Sequence, residues 1–169
     1  NTQYTFDAKT RNGDGDENVA IAAENKYTLA ADANISSDIT QDTWINSTGF
    51  TFTNDATFGA GGVEYYRYVF DQNDTHSFND TETQWSSGTK ETTASSEGSW
   101  YMHVKAYNAE DTAAASGATQ TLGPFKVDTT EPSITNNVTG DTSWLNSAGT
   151  AYDVDFMSNG GSPLDYAQY

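Results

Sequence analysis

Trp100, Met102, Val104 and Ala106 alternate with Tyr101, His103, Lys105 and Tyr107, giving one apolar and one polar face at the two-residue period of a β-strand. The same alternation sets Tyr4, Phe6, Ala8 and Thr10 against Thr5, Asp7, Lys9 and Arg11. Val63–Phe70 predicts a Tyr-rich strand, and Leu122–Val127 another, opened by Gly123-Pro124. Phe50–Thr53 and Tyr152–Phe156 predict two more. Clusters of Gly, Asn, Asp and Ser between these runs suit turns. Ala113–Ala118 is too short for a helix and contains Gly117, which favours a loop. Many short strands with regular turn signals predict an all-β sandwich.

The pattern also repeats at long range. Trp44-Ile45-Asn46-Ser47-Thr48-Gly49-Phe50-Thr51-Phe52 returns about a hundred residues later as Trp144-Leu145-Asn146-Ser147-Ala148-Gly149-Thr150-Ala151-Tyr152. Val63-Glu64-Tyr65-Tyr66-Arg67-Tyr68 returns as Leu164-Asp165-Tyr166-Ala167-Gln168-Tyr169. A period this long exceeds that of a solenoid and fits a row of small domains.

Tyr4-Thr5-Phe6-Asp7-Ala8-Lys9-Thr10-Arg11-Asn12, followed by Gly13, resembles the sixth strand of fibronectin type III domains. Gly98-Ser99-Trp100-Tyr101-Met102-His103-Val104-Lys105-Ala106-Tyr107-Asn108 is similar to that strand one repeat later. Gly123-Pro124-Phe125-Lys126-Val127-Asp128-Thr129-Thr130-Glu131-Pro132 resembles the last strand and linker of bacterial and archaeal immunoglobulin-like surface domains. The resemblance implies tandem immunoglobulin-like or fibronectin III-like β-sandwiches, with partial domains at both ends. Residues 1–30 would be the last two strands of one domain, 31–130 a complete sandwich, and 131–169 the first strands of a further repeat. Two explanations stand beside each other: a piece of a longer chain, or trailing strands completed by the leading strands of a neighbouring copy.

Composition narrows the setting. The chain has 169 residues and no cysteine, so neither disulfides nor thiolate metal sites are possible. Leu, Ile, Val and Phe together fall below the ~20% at which a strongly charged chain tends to disorder. Aromatics at 13% oppose that reading, because buried rings supply large core areas. Twenty-four acidic against seven basic residues give a net charge of −17, the wrong sign for nucleic acid or an anionic membrane. No apolar run approaches the ~20 residues of a helical membrane span.

Catalytic chemistry has little to stand on. His76 and His103 are the only histidines; His103 falls on the outward register of its strand beside Lys105, and His76 in a polar loop. No Gly-x-Ser-x-Gly elbow, His-Glu-x-x-His or phosphate loop occurs, so no enzyme activity is expected. Calcium is the cofactor that this acidity suits. Asn12-Gly13-Asp14-Gly15-Asp16-Glu17 spaces oxygens as the opening of a calcium loop does, but Glu17 stands where the turn glycine belongs. A hairpin tip accounts for the same residues. In a sandwich of the type resembled, Asp32 would gather with Asp55, Glu110 and Asp111 at one pole, and Asp128 and Glu131 would approach Asp42 at the other. Such acids repel by ~4 kcal/mol per close pair at moderate dielectric unless cations lie between them. Scattered solvated acids are the competing reading.

Asn34, Asn46, Asn73, Asn79 and Asn137 stand in glycosylation triplets, which also arise by chance in a Thr- and Asn-rich chain. Trp85, in the polar Glu82–Gly88 stretch, is the tryptophan most expected at the surface, where it could stack on a sugar; a satellite core residue is the competing reading of a lone aromatic. Lys9 and Lys105 fall on outward registers, against a buried isopeptide crosslink at either. Together these features predict a spacing and connecting segment of a secreted or cell-surface protein: a stalk, extracellular filament or surface-layer component. Its partners would be neighbouring domains of the same chain or copies of itself in a polymer, with rigidity set at the Asp128–Pro132 linker, where Pro132 restricts the backbone. An adhesive or carbohydrate-binding module, or an accessory domain of a polysaccharide-degrading enzyme, is the alternative.

Overall fold

The computed structural model describes residues 1–18, 24–114, 116–138 and 153–168. The second copy of the Trp44 motif, at 144–152, and Tyr169 lie outside the described residues. The chain opens with an antiparallel pair, β1 (Gln3–Phe6) and β2 (Glu24–Tyr27). It continues through β3 (Ile35–Ser37), β4 (Trp44–Ile45), β5 (Gly49–Asn54), β6 (Tyr65–Asp71), β7 (Thr83–Trp85), β8 (Lys90–Thr93), β9 (Gly98–Tyr107) and β10 (Gln120–Val127). A second antiparallel pair closes it, β11 (Ser133–Asn136) and β12 (Val154–Met157). Among the described residues there is no helix, as the alternating pattern predicts.

The middle strands form two sheets, of order β3-β5-β8 and β4-β10-β9-β6-β7. Strands β3 to β10 are antiparallel where they meet, except that β4 runs parallel to the end of β10. The two sheets share one core. Phe50 and Phe52 of β5 meet Phe125 of β10 at 5.3 and 5.8 Å between ring centroids, and Phe70 of β6 at 5.0 and 5.8 Å. These tilted and edge-on geometries suit the quadrupoles of the rings. Trp100, Met102, Val104 and Ala106 are buried beside them, the face that the alternation along β9 predicts.

Gly123 shows why a strand with a proline in it still pairs. Its φ is 135°, and a Cβ there would meet the Trp100 carbonyl oxygen at 2.7 Å. Only glycine fits such a close backbone approach. The register between β9 and β10 shifts between Leu122 and Phe125, a bulge that absorbs Gly123 and Pro124. The Gly123 amide donates instead to Gln41 Oε1 at 2.7 Å, and the Asp42 amide to the Pro124 carbonyl at 2.7 Å. Past the bulge, Lys126 and Val127 turn to pair with Trp44 and Ile45.

The two end pairs repeat pairings made in the middle. β11 on β12 matches Ile134 with Phe156 and Asn136 with Val154; β3 on β5 matches Ile35 with Asn54 and Ser37 with Phe52. β1 on β2 is antiparallel, as β9 is on β10. The alternation from Tyr4 to Arg11 predicts a longer strand than Gln3–Phe6. Beyond Phe6 the backbone instead enters a tight hairpin tip, with Arg11 bridging to Glu17.

Candidate functional site

The side chains with the most concentrated polar partners lie at the two joints, where the end pairs meet the middle sandwich. Asp128 ends β10 and is buried, its backbone amide donating to the Ile45 carbonyl at 3.0 Å. Its Oδ2 accepts from the Ser162 amide at 2.7 Å and the Ser162 hydroxyl at 2.5 Å, and its Oδ1 from the Thr130 amide at 3.1 Å. These donors, the Ser162 hydroxyl foremost, hold its carboxyl below the ordinary aspartate value. The loop carrying Ser162 follows β12 and lies flat on the sandwich. A Cβ at Gly160 would come within 2.0 Å of Asp128 Oδ1, and one at Gly161 within 2.5 Å of the Trp44 ring.

Glu97 grips the linker from the other side. Its Oε1 accepts from the Thr130 hydroxyl at 2.6 Å, the Thr129 amide at 2.9 Å and the Thr129 hydroxyl at 3.1 Å. The Thr130 hydroxyl and the Thr129 amide, in that order, pull its carboxyl below the usual glutamate value. Glu131 contributes its backbone carbonyl, which accepts from Asn159 Nδ2 at 3.1 Å. The linker predicted to set rigidity is thus bracketed by two carboxylates, one in the β8–β9 turn and one at the end of β10.

The leading joint uses amides. Asn108, fully buried, donates to the Thr28 carbonyl at 3.1 Å and accepts from the amides of Glu110 and Thr112 at 3.0 and 2.9 Å. The Asn1 side chain donates to Glu64 Oε2 at 2.7 Å and accepts from the Ala109 amide at 3.2 Å. Lys26 and Glu110 form an ion pair at 3.8 Å across the same joint, exposed enough to contribute little.

The acids expected to hold calcium, Glu131 aside, are engaged by separate partners. Asp32 accepts from the Ser116 hydroxyl at 2.6 Å and Asp55 from Ser36 at 3.0 Å. Asp111 accepts from the Tyr65 hydroxyl, and Asp42 pairs with Lys126 at 2.6 Å. Among the described residues, no three acidic or histidine side chains form a group that could hold a metal ion. At the hairpin tip, Asn12 Oδ1 accepts from the Asp14 and Asp16 amides at 3.1 and 2.8 Å, and Gly15 has φ 93°. That is a side-chain-closed turn, and its oxygen points to backbone donors. The five triplet asparagines, Asn34, Asn46, Asn73, Asn79 and Asn137, are all exposed.

Two placements correct the sequence reading. Trp85 is buried, packing on Tyr66 and Phe58 at 5.3 and 5.7 Å, with its ring N–H donating to the Ser87 and Gly88 carbonyls. It is a core residue and offers no platform for a sugar. His103 does lie on the outward register of β9, yet it is fully buried. The segment from Gln72 to Glu82 crosses that face, bringing the Asn73 carbonyl to 3.0 Å from Nε2, while Thr121 Oγ1 lies 2.9 Å from Nδ1. The same segment supplies Asp80, which accepts from Tyr107 at 2.6 Å, and the Glu82 carbonyl, which accepts from Arg67 at 3.2 Å. Arg67 also lies 5.6 and 5.3 Å from the stacked rings of Tyr65 and Tyr107. Periodicity gives the direction of a side chain and is silent about a loop that returns to cover it.

No protein-family model matches the chain, and comparisons with curated proteins and with solved structures find no match.

Proposed function

We propose that this chain is a non-enzymatic spacing and connecting segment of a secreted or cell-surface protein, built from tandem immunoglobulin- or fibronectin III-like β-sandwiches. The observation that carries the reading is the carboxylate-latched joint. Asp128 and Glu97 together accept six hydrogen bonds from Thr129, Thr130 and Ser162, so the following pair is fixed to the sandwich rather than swinging on a free linker. Charge-assisted hydrogen bonds of this kind are short and directional, which suits orientation more than catalysis. The three-plus-five arrangement of strands and the parallel β4–β10 contact accord with the sandwich named. So does the recurrence of the β3–β5 pairing in β11–β12. Acidity keeps such rods apart in solution by mutual repulsion.

The test is a distance. The chain has no cysteine, so Thr53→Cys with Thr135→Cys gives two unique sites for spin labels, one on the sandwich and one on the trailing pair. One narrow distance distribution at neutral pH is expected. A broad distribution, as for a flexible linker, would remove the spacer reading.

A further inference from the structure

The segment 72–82 runs as a strap across the outward face of β6 and β9, and the two histidines of the chain meet there. His103, fully buried on β9, faces His76 of the strap with 5.8 Å between ring centroids. The Asn73 carbonyl can only accept, so Nε2 of His103 carries a proton, and the Thr121 hydroxyl of β10 serves Nδ1. The neutral ring is therefore fully paired. Asp71, at the end of β6 and 3.8 Å from that Nε2, has both oxygens accepting from Asn73, at 2.9 Å each. Tyr101, also on β9, stacks on the His103 ring at 6.3 Å.

His76 has a different neighbour. Its Nε2 lies 3.1 Å from Oε1 of Glu82, which also accepts from the Asn79 amide at 2.9 Å. The Glu82 side chain is only 5% exposed, and its Oε2 is buried with no hydrogen-bond partner. Arg67 of β6 donates from Nη1 to the Glu82 backbone carbonyl and lies with Nε 3.7 Å from Asp80. Lys105 of β9 lies over the Tyr107 ring. Burial works against the charge on Glu82, yet the Asn79 amide, its own amide and His76 outweigh it and hold the carboxyl below the ordinary glutamate value of 4.5. Glu82 is thus ionised throughout the range in which histidine changes charge. A half-paired carboxylate removed from water gains most from a counter-charge. We infer that the strap is a pH-sensitive clasp: a proton taken up by His76 closes a charged pair on the buried Glu82 carboxylate and fastens residues 72–82 over His103. A second proton, on His103, would set two cations against each other across the same 5.8 Å, so the pair takes one. The closed strap holds that proton more tightly than the open one. Closure is therefore favoured below the histidine range and weakens as pH rises through it.

The chain has no cysteine, so Thr75→Cys carries a unique spin label at an exposed position of the strap. Its mobility is read by electron paramagnetic resonance between about pH 8.5 and 5.5, across the histidine range. The labelled chain is compared with the same chain carrying His76→Gln or Glu82→Gln. The first keeps a donor without the titrating ring, and the second keeps an acceptor for Asn79 without the charge. In the labelled chain the ratio of immobile to mobile label should rise about tenfold from the upper to the lower pH, the gain of a charge-assisted hydrogen bond over a neutral one. In each variant the ratio should stay flat. Near-ultraviolet circular dichroism of the buried Trp85 and Trp100 checks that the core is intact. Should Glu82→Gln lose its core, His76→Gln, at a partly exposed side chain, decides alone. A label indifferent to pH in the chain that keeps both residues would overturn the inference. So would a response that survives in His76→Gln, which would belong to His103, the other histidine.

Discussion

Ser162 reaches back 34 residues to place both its amide and its hydroxyl on one oxygen of Asp128, at 2.7 and 2.5 Å. No other side chain in the described residues ties the segment after β12 to the end of β10 with two donors on one atom. Asp128→Ala is therefore expected to free the trailing pair without unfolding the sandwich. The spin-label distance distribution between Thr53→Cys and Thr135→Cys should broaden, while the thermal unfolding of the core changes little. A distribution left as narrow as before would mean that the joint is held by something other than Asp128.

Gly160 and Gly161 allow that seat through their lack of a side chain. A Cβ at Gly160 would overlap the Asp128 carboxylate, and one at Gly161 the Trp44 ring. Backbone and carboxylate are both fixed there, so the added atom displaces the loop. Gly160→Ala should reproduce the broadening of Asp128→Ala, whereas Gly13→Ala, with open space around it, should leave the distance unchanged. Equal behaviour of the two alanine variants would sink the close-approach argument.

The joint should also answer to acid. Both Asp128 and Glu97 have carboxyl groups held below their ordinary values of 3.8 and 4.5, by the Ser162 and Thr130 hydroxyls first. A depressed folded-state value means that the ionised form is the one bound. Its contribution is complete above the unfolded-chain value and is lost as pH falls through the depressed one. The spin-label distance should stay narrow from neutral pH down to the ordinary carboxylate range and broaden only below it. Broadening already near pH 6, well above both values, would point to a different group.

How much of this could be read from the chain divides along one line. The inward face of β9 was legible because Trp100, Met102, Val104 and Ala106 repeat at the strand period. That residues 128–132 join one strand pair to the next was legible from the strand pattern on either side and from Pro132. Ser162 was not, because nothing in Gly-Gly-Ser-Pro signals that the loop folds back 34 residues to a carboxylate. Glu97 was missed for the same reason: its donors, Thr129 and Thr130, come from another turn. Trp85 read as exposed because its sequence neighbours are polar, yet a three-residue strand puts one side chain inward whatever flanks it. Local pattern fixes direction, and long-range return of loops decides what a directed side chain meets.

Trp85 and Phe52 give that correction a size. Both are buried in the one core, and truncating either leaves a cavity as well as lost apolar contact. Phe52→Ala and Trp85→Ala are each expected to cost about 3–5 kcal/mol in chemical unfolding. An exposed tryptophan would cost far less. A Trp85→Ala loss under about 0.5 kcal/mol, the range of ordinary surface substitutions, would return Trp85 to the surface.

Tyr65 offers the alkaline counterpart of the acid test. Burial first, and then its hydrogen bond to Asp111, push its hydroxyl up to about 12 from an ordinary 10.0. Tyr107 moves the same way, through burial and its bond to Asp80. For a group whose folded value is raised, the folded state holds the proton more tightly. The resulting stabilisation is complete below the unfolded value of 10.0 and is lost as pH rises through the folded one. Stability should thus fall as pH rises above 10, because the phenols of Tyr65 and Tyr107 ionise in the unfolded chain while the folded chain still holds their protons. Asp111→Asn removes the carboxylate charge while keeping an oxygen that can accept from Tyr65. It should move one phenolate transition to lower pH in ultraviolet titration, and leave that of Tyr107 in place. Movement of both transitions together would mean that the stacked pair titrates as one unit; movement of neither would separate Tyr65 from Asp111 altogether.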